Sequence, residues 1–365
     1  MRRIIELLLF FSISLLSGFD KDENLSDRPY KLVHADSLEV VKIDSAYVTC
    51  LVGDVHFFYG NTEFFSEYAG IFEAEKIVEL ENNVVILEDT LRLESEKVTY
   101  FRKDEIIRLL HNVNISQTCK ADSSYRTFHA DSVDYYREKG DVFASGDIKV
   151  FDSKEKMRGS CGEMKYNLES GYGFMIKNPH ISKKGKDSLD ISSEKMEFFR
   201  NYNKIAALFN VKLYNEIFSV TSNYLIYFSD TEEALFRGNP MLQSEKVNGF
   251  AKEFRLYFNN NEITKAVFKD SSEAYFKIRD EAEKESFVLG DEIKIDFIEQ
   301  KASFCEAKNN VKTKLIQTQT KKNEFFINKL RCKRLTLNLN EDNTVRDISV
   351  NDARNGIYIF NDKKD

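Results

Sequence analysis

Five histidines, His34, His56, His111, His129 and His180, are the side chains of this chain best suited to metal binding or to proton transfer near neutral pH. Five cysteines, Cys50, Cys119, Cys161, Cys305 and Cys332, could supply thiolate ligands, disulfides or a nucleophile. Neither set has the spacing of a site. There is no CxxC pair, no HExxH, no GxSxG elbow and no Gly-rich phosphate loop. His34 and His129 hold the same place in two copies of one pattern, HADSLEV and HADSVDY, so their recurrence is structural. Asp36 and Asp131 share a column in the same way. Stacked carboxylates can bind calcium or work as an acid and base on a polysaccharide. Here, however, the column also holds Ala69, Gly162, Asn223, Lys252 and Lys333, and turn chemistry explains an Asp at such a place. No catalytic residue, no metal and no cofactor is expected, and the chain is not read as an enzyme.

What must position these residues is a repeat. The seven-residue pattern runs small, polar, apolar, any, large apolar. It recurs as HADSLEV (34), EYAGIFE (67), ESEKVTY (94), HADSVDY (129), SCGEMKY (160), SSEKMEF (192), TSNYLIY (221), FAKEFRL (250), LGDEIKI (289) and RCKRLTL (331). The spacing averages roughly 33 residues, as in stacked supersecondary units. The fifth position, including Leu38, Val98 and Val133, is always apolar. The seventh carries Tyr100, Tyr135, Tyr166, Phe198 and Tyr227, and only Glu73 departs from it. Residues two apart share one face of a strand, and that face must be buried. The second position is small in every copy except Tyr68, as a tight corner demands, which makes Cys161 and Cys332 small buried residues rather than redox centres.

Between these copies lies a second alternating strand that opens on Gly or Asn, as in GDVHF (53) and GDIKV (146). Its inward pairs include Val55 with Phe57 and Ile148 with Val150. The fold class is all-β: an elongated β-jellyroll or β-solenoid-like stack of about ten two-strand repeats. Its apolar interior is expected to be open. The inward aromatics line either a groove or the packed core between two sheets. A column of tyrosines, whose hydroxyls need polar partners, suits a partly open interior.

The bulk composition agrees. Phe (30) and Tyr (17) are abundant, while Trp is absent and Pro rare (3), which favours strands. A net charge of −7 with no long basic run argues against nucleic acid as a partner. Arg2 and Arg3, the apolar run Ile4–Leu16 and the small residues Ser17 and Gly18 have the layout of a secretory signal peptide over residues 1–19. Phe19 stands where a lipidated Cys would be. The repeat passes through the middle without a linker. Its two halves are read as residues 28–176 and 177–360, continuous with one another.

The alternation of A-D-x-hydrophobic-x-aromatic with G-x-V-x-hydrophobic strands resembles the OstA-like, LptA-type lipopolysaccharide transport family, extended about two-fold in length. The resemblance rests on HADSLEV with GDVHF and on HADSVDY with GDIKV. It implies a jellyroll whose apolar groove shields the acyl chains of lipopolysaccharide or a related glycolipid across the periplasm. It also implies LptC-like inner-membrane and LptD-like outer-membrane partners joined by edge-strand addition, with head-to-tail self-association. The groove candidates are then Leu38, Val55, Phe57, Val98, Tyr100, Val133, Tyr135, Ile148, Val150, Tyr166, Phe198 and Tyr227. The alternative is a structural or adhesive β-solenoid with a sealed core and no lipid.

Overall fold

The computed structural model describes residues 30–43, 46–184, 188–245, 247–259, 262–277, 285–299, 301–319, 324–340 and 345–361. The segment read as a signal peptide lies outside them. The described residues are nearly all strand, and their one helical element is a 3-10 turn at Arg200–Tyr202. They fall into two compact units. One is built on residues 30–184 and 194–204, the other on 188–193 and 205–361.

The first unit is an antiparallel meander. Ala46–Tyr59, Thr62–Phe72, Ile77–Glu88, Leu91–Phe101, Ile106–Thr118, Tyr125–Tyr136, Asp141–Asp152 and Met157–Asn167 each pair with the next strand in sequence. Because the chain reverses at every hairpin, the stack is of the jellyroll kind. Alternation of apolar and polar residues drives each strand, and the buried residues follow it.

Each of these consecutive pairs of long strands breaks register near its middle. Leu110 faces Ser132 and Val113 faces Ala130, so His111 and Asn112 together oppose Asp131 alone. This is a two-against-one bulge that bends the strand. The two extra residues have left-handed backbones, with φ of 65° and 51°. The same doublet recurs at Gly53–Asp54, Asn82–Asn83, Gly146–Asp147 and Lys177–Asn178. In the second unit it recurs at Phe209–Asn210, Gly238–Asn239, Asp270–Ser271 and Asn309–Asn310. Gly, Asn and Asp dominate because they enter this region at least cost. Each long strand therefore runs through one ladder, turns a corner and continues in a second.

The corners revise two sequence expectations. The pattern opening on Gly or Asn does not begin a strand; it begins at the corner of a strand already under way. The copy at Glu67 was framed two residues late. Ser66 is the buried small residue, paired with Val55, and Ala69 (0% exposed) takes the fifth position. That shift removes both outliers, Tyr68 and Glu73. The small residue sits inside the bend, where the ladder leaves carbonyls unpaired. Ser95 Oγ donates to the carbonyls of Lys97 and Leu110, both at 2.9 Å.

Opposite the doublet, the outer residue of the partner strand presses on the first doublet residue. A Cβ on Gly146 (φ 78°) would stand 2.0 Å from Asp131 Oδ2 and 2.6 Å from its Cβ. At Gly162 and Lys177 the glycine is on the other strand, and a Cβ there would meet Lys177 Cβ at 2.7 Å. We expect Gly146→Ala to cost about 1–2 kcal/mol from the left-handed backbone alone, and more from displacing Asp131. Adding Asp131→Gly should recover the second part only. Urea unfolding followed by far-ultraviolet circular dichroism measures both. Equal stability of Gly146→Ala and the parent would show that the corner tolerates a side chain.

Candidate functional site

In the first unit the inward side chains form continuous cross-strand rows. One runs Ala69, Leu80, Val98, Leu109, Val133, Ala144, Met164, Met175, Met196. Beside it runs Ile71, Val78, Tyr100, Ile107, Tyr135, Val142, Tyr166, Gly173, Phe198, through the same pairings. On the other side of the corners lies a third row, Phe57, Phe64, Ile86, Leu93, Ile115, Phe128, Val150. Gly173 is where it is because the Tyr166 ring covers it: a Cβ there would meet Tyr166 Cδ2 at 2.5 Å.

Of the expected groove residues, Val55, Phe57, Val98, Val133, Tyr135, Ile148, Val150, Tyr166 and Phe198 are all buried in this unit. Tyr100 is half-buried. Leu38 is 55% exposed at the first rung, in line with Leu51 and Ala69. Tyr227 is buried in the second unit. The structure thus gathers eleven of the twelve in one unit. The three methionines Met164, Met175 and Met196 complete the lining, and they add the adaptable packing of a thioether.

The rows end on a rim. Where alternate strands of the meander end, the next residue begins a turn. The turns are stacked by their backbones. Arg102 N–H donates to the Lys76 carbonyl at 2.8 Å, Arg137 N–H to Glu105 at 2.9 Å, Leu168 N–H to Gly140 at 2.8 Å and Arg200 N–H to Gly171 at 2.9 Å. Two of these arginines are buried, with side chains 7% exposed. Arg137 Nη1 donates to Glu105 Oε2 at 2.7 Å and to the Tyr100 hydroxyl at 3.1 Å. Arg102 Nη2 lies 3.0 Å from Glu73 Oε2, and Glu73 also holds Lys76 at 3.2 Å. From the other ladder come Tyr30 and Tyr59, whose rings stack at 4.8 Å. Burial raises the Tyr30 hydroxyl's pKa and outweighs the charges of Arg102, which lowers it, and Glu73, which raises it.

Burial pushes the hydroxyls of Tyr30 and Tyr100 up to about 12. It does the same to the buried thiols of Cys161 and Cys305, which are not thiolates near neutrality. All five cysteines are free. Among the described residues no three His, Cys, Asp or Glu side chains converge to hold a metal. No helix among them is long and apolar enough to cross a membrane.

The rim was missed in the sequence, although it had a signal. An aromatic pair followed by Arg occurs three times: Tyr100-Phe101-Arg102, Tyr135-Tyr136-Arg137 and Phe198-Phe199-Arg200. The aromatic at the seventh position turns inward, its neighbour turns outward, and the Arg begins the turn.

A jellyroll meander with an apolar lining and a polar rim is the class of fold present. Residues 29–184 match the family model described as OstA-like protein. No curated protein matches the chain. Among solved structures, the chain is similar to LptH from Pseudomonas aeruginosa, described as the LptA homologous periplasmic component of the lipopolysaccharide transport device. The identity is 13%, covering 42% of this chain and 87% of that one, with a TM-score of 0.22. A superposition that loose carries no argument.

Two outcomes are expected. Tyr166 carries a buried hydroxyl with no hydrogen-bond partner among the described residues. Tyr166→Phe should therefore leave stability unchanged or raise it by up to about 1 kcal/mol, and a loss in thermal unfolding would reveal a partner for that oxygen. Tyr30 and Tyr100 ionise less readily in the folded chain than in the unfolded one, where tyrosine titrates near 10.0. Their contribution is whole below pH 10 and is lost as pH rises from 10.0 to about 12. Tyrosinate absorbance should show a late fraction that shrinks in Tyr30→Phe and in Tyr100→Phe.

Proposed function

We propose that the chain is an exported carrier or bridge, not an enzyme, that binds lipopolysaccharide or a related glycolipid between its two ladders and helps move it towards the outer membrane. The observation that carries this reading is the coincidence of the OstA-like stretch, residues 29–184, with a continuous apolar lining that ends on a polar rim. Such an interior is matched to an amphiphile: each buried CH₂ gains about 0.8 kcal/mol, while a polar head remains at the mouth. The groove of the first unit is formed by the eleven of those side chains that lie in it, with the methionine row as its adaptable floor, and Tyr227 lines the interior of the second unit. Acyl chains enter by parting the ladders at the hairpin side, with the left-handed corners as the hinge. Residues 1–19 act as the export signal, and the periplasm is the site of action. Residues 28–176 and 177–360 serve as two successive stretches of the same carrier.

Partners are proposed at the exposed strands. Ser37–Ile43 is exposed at every residue and carries Leu38, Val40, Val41 and Ile43. In the second unit Asn355–Asn361 exposes Ile357, Tyr358 and Ile359. Apolar exposed strands invite pairing with another chain. LptC-like and LptD-like partners, or a second copy head to tail, are the occupants proposed.

One observation favours a sealed scaffold instead. Ten of the twelve groove residues are buried by the protein's own side chains. Lipid recovery separates the two readings. The full chain is produced in the periplasm of a Gram-negative host, purified and extracted with organic solvent, and the extract is examined by mass spectrometry. Acylated glycolipid near one per chain is the expected result. A folded, monodisperse protein that carries none, and takes none up when offered, identifies the scaffold.

A further inference from the structure

The guanidinium of Arg102 is incompletely used. Its Nε–Nη2 edge is the edge that grips an oxyanion with two parallel hydrogen bonds. Glu73 approaches only Nη2, at 3.0 Å, and neither nitrogen makes a hydrogen bond of good geometry among the described residues. The side chain is nevertheless 7% exposed. Burying donors unmet is costly, and this site makes the loss easy to repair. Glu73 is 55% exposed and already shared with Lys76, so it can swing outward without leaving a buried charge. The Tyr30 hydroxyl is also buried without a hydrogen-bond partner among the described residues, and the Arg102 charge acts on it. Arg137, the next guanidinium along the rim, is by contrast engaged by Glu105 and Tyr100. The vacancy in hydrogen bonding is therefore local to Arg102. Two residues before it, Tyr100 begins the apolar row.

We propose that Arg102 is an oxyanion site for the phosphate monoester at the polar end of an amphiphile whose chains lie along the inward rows. This rests on the carrier reading and adds the chemistry of the headgroup. The phosphate takes the Nε–Nη2 edge and displaces Glu73 towards Lys76. No covalent step is involved.

The test is calorimetric titration of the full chain with three probes: monododecyl phosphate, dodecyl maltoside and inorganic phosphate, each below any micelle-forming concentration. Dodecyl phosphate should bind at least about ten times more tightly than dodecyl maltoside, and Arg102→Gln should abolish that preference, as expected for a buried charge-assisted pair. Glu73→Gln, a change at an exposed residue that should fold, removes the competing carboxylate and should tighten dodecyl phosphate binding about three-fold or more. That second variant keeps the test decisive if Arg102→Gln does not fold. If inorganic phosphate binds through Arg102 while neither amphiphile binds, the oxyanion site stands and the carrier reading falls. If both amphiphiles bind equally and neither substitution matters, the carrier reading stands and the oxyanion site is overturned. If no probe binds, both are overturned.

Discussion

The structure depends on a backbone constraint: each long strand must bend at its middle, and alternate strands do so with two successive residues in the left-handed region against one on the partner strand. Without the bend, a hairpin of this length would lie in a single sheet with one apolar face exposed. With it, each strand contributes half its length to each of two ladders, and the apolar faces cover one another. The small buried residue inside the bend, the outward Asp or Asn pressing on the doublet, and the seryl hydroxyl that meets the freed carbonyls are consequences of that requirement.

A second constraint acts at the opposite side of the stack. There the chain reverses, and each reversal is tied by a backbone hydrogen bond to the one before. This fixes the Cα of Arg102, Arg137 and Arg200 in a file at the mouth. Two of the arginines meet carboxylates, Arg102 with Glu73 and Arg137 with Glu105. Buried pairs of this kind add little net stability, because desolvation offsets most of the attraction. Their effect is on what the mouth can recognise, and on holding two apolar ladders in one alignment.

Much of this was legible in the residues, and the limits have physical reasons. Strand periodicity is a local property, so Val98 with Tyr100 and Val133 with Tyr135 could be assigned to one buried face directly. The corner chemistry was also visible as Gly-Asp, Asn-Asn and His-Asn doublets. It was read as the start of a strand because Gly and Asn ordinarily punctuate rather than bend. The copy at Glu67 was misframed because Ile71 satisfies the apolar fifth column as well as Ala69 does, which put Tyr68 in the place that belongs to Ser66. The arginines of the rim escaped because they are 35 and 63 residues apart in sequence. Only the stacking of turns brings them together, and no single repeat displays it. Burial likewise belongs to facing ladders, and one strand cannot reveal whether its inward side meets a neighbour or a cavity.

The turn-to-turn hydrogen bonds have a consequence for how such a chain can change length. A reversal is bonded to the reversals on either side and to little else, so the energetics of a unit approximate a sum over adjacent hairpins. Removing or duplicating a whole hairpin restores the same contacts one step along, whereas losing a single strand would flip the direction of everything after it. The natural quantum of insertion and deletion is thus the hairpin pair. A lineage built on this plan can adjust its reach by gene duplication in steps of one repeat without redesigning a core.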